Sequence, residues 1–151
     1  MRPLSEEGMR VGDVMTSSVV SVEASDKAYD AVLKMINRDI GSVVVKRNGI
    51  VLGIITKGDV LRNIVKVGID PRKTTAADVM SKPVVTVEQN ATIESASRLM
   101  TEYSVSKLPV MNDGELVGII TSSDIIRAEP MQVGYLQELM KARFVPHRRG
   151  R

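Results

Sequence analysis

Two short segments of the chain carry the polar groups that phosphate and ribose require. They are Thr56-Lys57-Gly58-Asp59 and Thr121-Ser122-Ser123-Asp124, each where a predicted strand gives way to a helix. Free N–H groups and the dipole at a helix N-terminus favour phosphate, and a threonine hydroxyl can donate to it. Lys57 adds positive charge, and Gly58 leaves room for close approach. An ionised aspartate only accepts hydrogen bonds, so it suits the two hydroxyls of a ribose.

The same segments also have a purely structural interpretation. A threonine followed three residues later by an aspartate forms a capping box, which stabilises a helix start by roughly 0.5–2 kcal/mol without any ligand. The two interpretations are compatible, because a residue can cap the helix in the free chain and contact a ligand when one binds. The motif occurs twice, each time after Gly-Ile-Ile, and this repetition favours ligand binding.

Composition excludes most other site chemistry. The chain has no cysteine and a single histidine, His147. It therefore lacks the residues for a disulfide framework, a thiolate zinc site or a cysteine nucleophile, and a histidine-based metal site or catalytic triad is nearly excluded. No base or activated nucleophile is predicted beside either aspartate. We therefore expect a non-catalytic protein with no catalytic cofactor and no metal.

The overall composition is that of an ordinary folded chain. Of 151 residues, 43% are hydrophobic and only 3% aromatic, so the core must rest on Val, Ile, Leu and Met. The net charge of +3 owes much to arginines of the C-terminal tail and is weak support for nucleic-acid binding. Neither a signal-peptide core nor an apolar run of ~20 residues is present, which predicts a cytoplasmic protein without a membrane span.

The chain repeats itself after 65 residues. Residues 13–62 align with residues 78–127 without a gap, and 17 of the 50 pairs are identical. Met35 and Met100 recur on the same helix stripe, which predicts that both lie in the core. Arg62 and Arg127 recur three residues after the aspartates. They could reach a phosphate or a partner, but we interpret them as members of surface ion pairs.

Each repeat reads as an α/β (α+β) unit of the order β-α-β-β-α. In the first repeat the apolar spacing and turn signals predict strands at Val19–Val22, Ser42–Lys46 and Val51–Ile55, and helices at Asp26–Asn37 and Thr56–Val65. In the second they predict strands at Val84–Val87, Leu108–Met111 and Leu116–Ile120, and helices at Thr92–Tyr103 and Ser123–Arg127. Asn48-Gly49 and Asp113-Gly114 predict tight hairpins.

A unit of ~55 residues is too small to bury its apolar face well, so two copies should pack together about a pseudo-two-fold axis. The expected organisation is repeat 1 over residues 9–66, repeat 2 over 74–130, a short C-terminal helix over 131–143 and a basic tail over 144–151.

The repeated motifs resemble those of the CBS domain, a family named after cystathionine β-synthase. Each copy has an Asp-Val-Met opening, a Val-Val-x-Val strand and a closing Gly-Ile-Ile-Thr-x-x-Asp. The second copy adds Ser106-Lys107-Leu108-Pro109-Val110, which matches that family's second strand, whereas the first copy has Ser42-Val43-Val44-Val45 there. The chain is thus similar to a stand-alone pair of CBS repeats, or Bateman module, over roughly residues 9–129.

The resemblance implies two clefts, each joining the closing motif of one repeat to the first two strands of the other. One cleft would contain Thr56, Lys57, Asp59, Met80, Ser81, Val85, Val105, Ser106 and Lys107. The other would contain Thr121, Ser122, Ser123, Asp124, Met15, Thr16, Val20, Ile40, Gly41 and Ser42. Aliphatic side chains would enclose the adenine ring. Because Lys57 and Lys107 both belong to the first cleft, we expect it to bind phosphate more tightly.

The resemblance also implies a function. Family members bind AMP, ADP, ATP or S-adenosyl compounds, regulate an attached or separate partner, and often dimerise. We therefore expect a regulatory sensor of the energy state that binds an adenine nucleotide (AMP, ADP or ATP, ahead of S-adenosylmethionine), forms a homodimer and signals to an unidentified protein. The alternative is a protein- or nucleic-acid-interaction module with vestigial clefts, motivated by the basic tail and by the apolar face Leu136, Leu139 and Met140.

Overall fold

The computed structural model describes residues 8–82, 84–128 and 141. In the first half its elements are α1 (Val11–Val14), β1 (Ser21–Glu23), α2 (Ala28–Arg38), β2 (Ser42–Arg47), β3 (Ile50–Thr56) and α3 (Lys57–Val60), which continues as a π-helical turn over Leu61–Val65. After a 3-10 turn at Pro71–Lys73 come α4 (Ala76–Val79), β4 (Val87–Glu88), α5 (Ile93–Tyr103), β5 (Lys107–Asn112), β6 (Glu115–Thr121) and α6 (Ser122–Ala128). The predicted C-terminal helix and basic tail lie outside the described residues, apart from Lys141.

Each repeat contains a three-stranded mixed sheet of the same topology. Strand β1 runs parallel to β2, which pairs antiparallel with β3, and β4, β5 and β6 repeat this arrangement. Both hairpin turns have two consecutive residues with positive φ, namely 51° and 80° at Asn48 and Gly49, and 52° and 79° at Asp113 and Gly114. This backbone fits the twist of the paired strands, so both hairpin predictions are confirmed.

The first strand of each repeat lies further along the chain than its apolar residues predict. Strand β1 begins to pair at Ser21 rather than Val19, and β4 pairs only from Val87 rather than Val84. In the first repeat Thr16 pairs with Ile119 of the second repeat, whereas Ser21 pairs with β2. The chain therefore crosses between the repeats after Thr16 and reaches the first sheet at Val20, whose carbonyl accepts from the N–H of Val44 (3.0 Å). The apolar pair Val19-Val20 at the end of this crossing predicts a strand that starts too early.

The two repeats exchange their opening segments, which we define as residues 9–16 and 74–81. The N–H of Val11 donates to the carbonyl of Ala91 (2.8 Å) and that of Gly12 to the carbonyl of Gln89 (2.9 Å). The equivalent bonds run from Ala76 to Asp26 (2.7 Å) and from Ala77 to Ala24 (3.1 Å). Each opening segment therefore docks on the repeat to which it does not belong in sequence.

These contacts are reciprocal, as a two-fold relation requires. Thr16 pairs with Ile119 while Ser81 pairs with Ile54, and each pair becomes the other when the repeats are interchanged by 65 residues. The pairs Arg10 with Thr92 and Lys27 with Thr75 are related in the same way. A residue pair that recurs with its members interchanged is the mark of a two-fold interface, so the repeats pack about a pseudo-two-fold axis as predicted.

Each hydrophobic core includes residues of the opening segment that comes from the other repeat. The first core is built on β1–β3 and α2 and also contains Ala76 and Val79, while the second is built on β4–β6 and α5 and also contains Val11. Met35 and Met100 are buried in these cores, as predicted. In the described part of the chain, no helix is long and apolar enough to cross a membrane.

Candidate functional site

Asp59 is the last residue of the first closing motif, and its side chain is only 2% exposed. Its Oδ2 accepts hydrogen bonds from the N–H (2.8 Å) and the hydroxyl (3.0 Å) of Thr56. The Thr56 Oγ1 in turn accepts from the N–H of Asp59 (3.2 Å), which completes a capping box at the start of α3. The structural interpretation of this motif is therefore confirmed, and a buried carboxylate obtains the partners that it needs.

Ser81 reaches the same carboxylate from the second opening segment. Its hydroxyl donates to Oδ1 of Asp59 at 2.5 Å, and its N–H donates to the carbonyl of Ile54 at 2.9 Å. Close approach depends on Gly53, because an added Cβ there would lie 2.7 Å from both Met80 Sδ and the Ser81 carbonyl oxygen. The exchange thus joins Ser81 of one repeat to Asp59 of the other and places Met80 against Gly53.

Asn63 also holds this segment, and sequence reasoning missed it. Its side-chain amide donates to the carbonyl of Val79 at 2.9 Å, two residues before Ser81. The repeat comparison could not reveal this contact, because Ala128 stands at the equivalent position. The usable signal was a polar side chain placed between the apolar residues of the helix.

Two lysines lie near the first motif. Lys57 is exposed at the start of α3, and its N–H donates to the carbonyl of Gly41 at 3.2 Å. A Cβ on Gly41 would lie 3.4 Å from Cε and 3.7 Å from Nζ of Lys107, so the Lys107 side chain extends across the repeat boundary to this point. Neither lysine forms an ion pair with another residue in the described part of the chain.

The second motif has the same capping box but fewer partners. The carboxylate of Asp124 accepts from the N–H of Thr121 (2.9 Å), and Thr121 Oγ1 accepts from the N–H of Asp124 (3.2 Å). Thr16 occupies the place of Ser81 and exchanges two main-chain hydrogen bonds of 2.9 Å with Ile119. Within residues 8–82 and 84–128, its side chain forms no hydrogen bond to Asp124. Ser122 and Ser123 complete this motif without adding a cation.

Both recurrent arginines pair with the aspartate of their own motif. The distance from Nη2 to Oδ1 is 3.4 Å between Arg62 and Asp59 and 2.6 Å between Arg127 and Asp124. Both arginine side chains are largely exposed, so the predicted surface ion pairs form, with a buried carboxylate as the partner in each case.

The aliphatic residues assigned to each cleft lie on both sides of the boundary between the repeats. Met80 packs against the first core, whereas Val85 and Val105 pack against the second. Conversely, Met15 packs against the second core, whereas Val20 and Ile40 pack against the first. All six are partly buried rather than fully enclosed.

Three residues at the strand starts bond within their own repeat. The carbonyl of Ser106 accepts from the N–H of Ser122 (2.9 Å), just as Gly41 accepts from Lys57. Ser42 is buried and pairs with Thr56 across the β2–β3 hairpin. Each strand start is therefore fixed to the motif that follows it in sequence.

The described residues include no cluster of three or more His, Cys, Asp or Glu that could hold a metal ion. The motifs instead provide hydroxyls, N–H groups, lysines and buried carboxylates, which suit a polyhydroxylated anionic ligand.

Comparison with known proteins identifies the fold. The family profile of the CBS domain matches residues 11–66 and 76–130. An uncharacterised protein of Methanopyrus kandleri is 37% identical over 133 residues, which cover 87% of this chain and 68% of that protein. The mitochondrial CBS domain-containing protein CBSX3 of Arabidopsis thaliana is 31% identical over 81% of this chain and 65% of its own length. Both relatives are longer than the region that this chain matches.

Solved structures agree with the sequence matches. The structure of hypoxic response protein I, which holds two coordinated zinc ions, superposes with a TM-score of 0.74 at 28% identity and covers 81% of this chain and 100% of that one. A signal-transduction protein with CBS domains from Burkholderia ambifaria gives 0.74 at 26% identity, over 80% of this chain and 93% of that one. A hexameric CBS-CP12 protein from cyanobacteria gives 0.73 at 27% identity, over 80% and 72%.

CBS pairs are typically regulatory, generally non-catalytic modules, and CBS domains generally bind adenosine-containing ligands and oligomerise. The repeated motifs, the reciprocal exchange of opening segments and these matches lead to one conclusion. The chain belongs to the CBS-domain family and contains a pair of CBS repeats.

Proposed function

We propose that this chain is a non-catalytic regulatory module that binds an adenine nucleotide, AMP, ADP or ATP, and that the Asp59 cleft is its principal site. One observation carries the proposal. The Asp59 carboxylate lies where the two repeats meet, bonded to Thr56 of one repeat and Ser81 of the other, in a motif that contains Lys57, whose N–H is bonded to the carbonyl of Gly41, where the Lys107 side chain lies. A buried carboxylate, together with two lysines that form no ion pair within the described part of the chain, suits a ligand with both hydroxyls and phosphates.

Binding at this position would be linked to the arrangement of the repeats. A ribose hydroxyl that donates to Asp59 competes with the Ser81 hydroxyl for Oδ1, and Ser81 belongs to the opening segment that docks on β3. A ligand shifts an equilibrium by its differential affinity for two states, so this competition provides a route from occupancy to the packing of the pair. The module would act as a homodimer, and the change in the packing of its repeats would be detected by the protein that it regulates.

Calorimetric titration of the intact chain with AMP, ADP, ATP and S-adenosylmethionine tests the proposal. We expect at least one nucleotide to bind at micromolar strength. Asp59→Asn retains the side-chain volume but removes the charge, and the loss of a charge-assisted hydrogen bond should weaken binding about tenfold or more.

Asp124→Asn is the matched variant. It is expected to remove a weaker second binding event while the tighter event persists. Thermal unfolding of both variants separates loss of affinity from loss of fold. No binding by the unmodified chain, or equal nucleotide affinity in a folded Asp59→Asn variant, would contradict the proposal.

A further inference from the structure

Arg62 is the exposed partner of a buried charge. Its side chain is 66% exposed, whereas that of Asp59 is 2% exposed. The guanidinium lies over Gly58, where an added Cβ would be 2.8 Å from Nη1 and 2.9 Å from Nη2. From there it contacts Asp59 Oδ1 at 3.4 Å, near the outer limit of a hydrogen bond. The contact is therefore weak as well as accessible to water.

Asp59 does not depend on this arginine for its partners. The same Oδ1 accepts from the Ser81 hydroxyl at 2.5 Å, and Oδ2 accepts twice from Thr56. Among the described residues, no serine hydroxyl donates to Asp124, and Arg127 approaches its carboxylate to 2.6 Å. Arg127 is thus the close partner of its carboxylate, whereas Arg62 is an additional and more distant one.

The surroundings of Arg62 are basic. Lys57 precedes Gly58 in sequence, and its N–H is bonded to Gly41, beside which the Lys107 side chain lies. Neither lysine is in an ion pair in the described part of the chain. At the equivalent positions of the other repeat stand Ser122 and Ser42. The first cleft, as assigned from the family resemblance, thus holds Lys57 and Lys107 beside Arg62, whereas the second motif has Arg127 with serines at the two lysine positions.

We infer that Arg62 is a displaceable counter-ion, which leaves Asp59 when a ribose binds there and then pairs with the phosphates of the same nucleotide. This inference rests on the proposed function of the Asp59 cleft. One ribose hydroxyl replaces the 3.4 Å contact while the other competes with Ser81, and the released guanidinium joins Lys57 and Lys107 around the phosphate chain. Arginine forms charge-assisted and often bidentate bonds with phosphate, which are stronger than its contact in the free chain.

Selectivity for the number of phosphates follows from this exchange. Adenosine can displace Arg62 but offers it no new partner, and AMP offers one phosphate to three cations. ADP and ATP extend the chain of phosphate oxygens over which the three cations can pair. The cleft therefore selects adenine nucleotides with two or three phosphates over AMP, and selects AMP over adenosine and S-adenosylmethionine.

Titration of adenosine, AMP and ATP into the intact chain and into Arg62→Gln tests the inference. In the unmodified chain ATP should bind about tenfold or more tightly than AMP, the change expected from one further charge-assisted bond. Arg62→Gln should weaken ATP binding about tenfold and leave adenosine binding equal or slightly stronger, because the competitor for Asp59 is gone. Arg127→Gln is the matched control and should leave the ratio of ATP to AMP affinity unchanged.

The outcomes separate this inference from the proposed function. If no nucleotide binds the unmodified chain, the proposed function fails. If nucleotides bind but ATP and AMP bind equally, or Arg62→Gln weakens adenosine and ATP by the same factor, the inference alone is overturned. It is also overturned if Arg127→Gln changes the ratio as much as Arg62→Gln does. Arg62 is a surface residue, so thermal unfolding should show an intact fold in this variant.

Discussion

The Thr56–Asp59 and Thr121–Asp124 motifs have the same backbone frame in different surroundings. In both, a threonine and an aspartate form a capping box, and an arginine three residues later pairs with the aspartate. Around Asp59 the structure adds the hydroxyl of Ser81 from the other repeat, and the Lys107 side chain lies against Gly41, whose carbonyl is bonded to the N–H of Lys57. Around Asp124 the corresponding positions hold Thr16, Ser122 and Ser42.

The difference shows that a motif repeated in sequence does not by itself make two equivalent sites. The capping box is a local structure, fixed by four consecutive residues, and it recurs wherever those residues recur. The additional partner of Asp59 is Ser81, 22 positions away, which the exchange of opening segments brings near, and the packing of the repeats brings the Lys107 side chain to Gly41. The asymmetry of the clefts is therefore a property of the pair rather than of either repeat.

The largest expected difference in stability is between the variants Ser81→Ala and Thr16→Ala, which change equivalent residues of the two opening segments. Ser81→Ala leaves Oδ1 of a buried carboxylate with only a 3.4 Å contact, and hydrogen bonds to charged groups contribute about 1.5–3 kcal/mol. Thr16→Ala removes an exposed side chain with no bond to Asp124 and should cost less than about 0.5 kcal/mol. Chemical denaturation of both variants without nucleotide measures the two free energies of unfolding. Equal losses would show that the Ser81 bond adds nothing to the first site.

A smaller loss of stability, similar in both repeats, is expected when the glycines that contact the opening segments are replaced by alanine. A Cβ on Gly53 would lie 2.7 Å from the Ser81 carbonyl oxygen, and one on Gly118 would lie 2.9 Å from that of Thr16. Backbone cannot yield as a flexible side chain can, so Gly53→Ala and Gly118→Ala should each destabilise the fold by about 1–3 kcal/mol.

Denaturation curves of the two glycine variants test whether both segments dock equally tightly. A loss of stability in only one of the two variants would mean that only one opening segment is tightly docked. Gly49→Ala is not a suitable control because its φ is 80°. Gly41→Ala is a better control, since its Cβ would meet only the Lys107 side chain at ordinary distances.

The smallest expected effect on stability comes from the N-caps of the two long helices, α2 and α5, which differ. Thr92 caps α5 through a 3.0 Å bond from the N–H of Ser95, whereas Lys27 precedes α2 without a side-chain cap. Thr92→Ala should therefore cost ~1 kcal/mol, and Lys27→Thr should gain up to ~1 kcal/mol. Thermal unfolding midpoints provide the measurement. A Lys27→Thr variant less stable than the unmodified chain would show that Lys27 contributes in another way.

The sequence by itself determined the elements and their duplication. Met35 and Met100 lie on helix faces that the 3.6-residue apolar spacing predicts, and the two hairpins follow from Asn48-Gly49 and Asp113-Gly114. The capping boxes were also predictable. All these features depend on residues within a few positions of each other, so local chemistry is sufficient to specify them.

Only the tertiary structure decided which residues meet across the pair. The apolar stretch before β1 reads like part of a strand, but it crosses from one repeat to the other because Thr16 is paired with Ile119. The hydrogen bond from Ser81 to Asp59, the contact of Asn63 with Val79 and the position of Lys107 beside Gly41 have no counterpart in the repeat pattern. Long-range pairing depends on how two surfaces pack, and a periodicity within one segment does not contain that information.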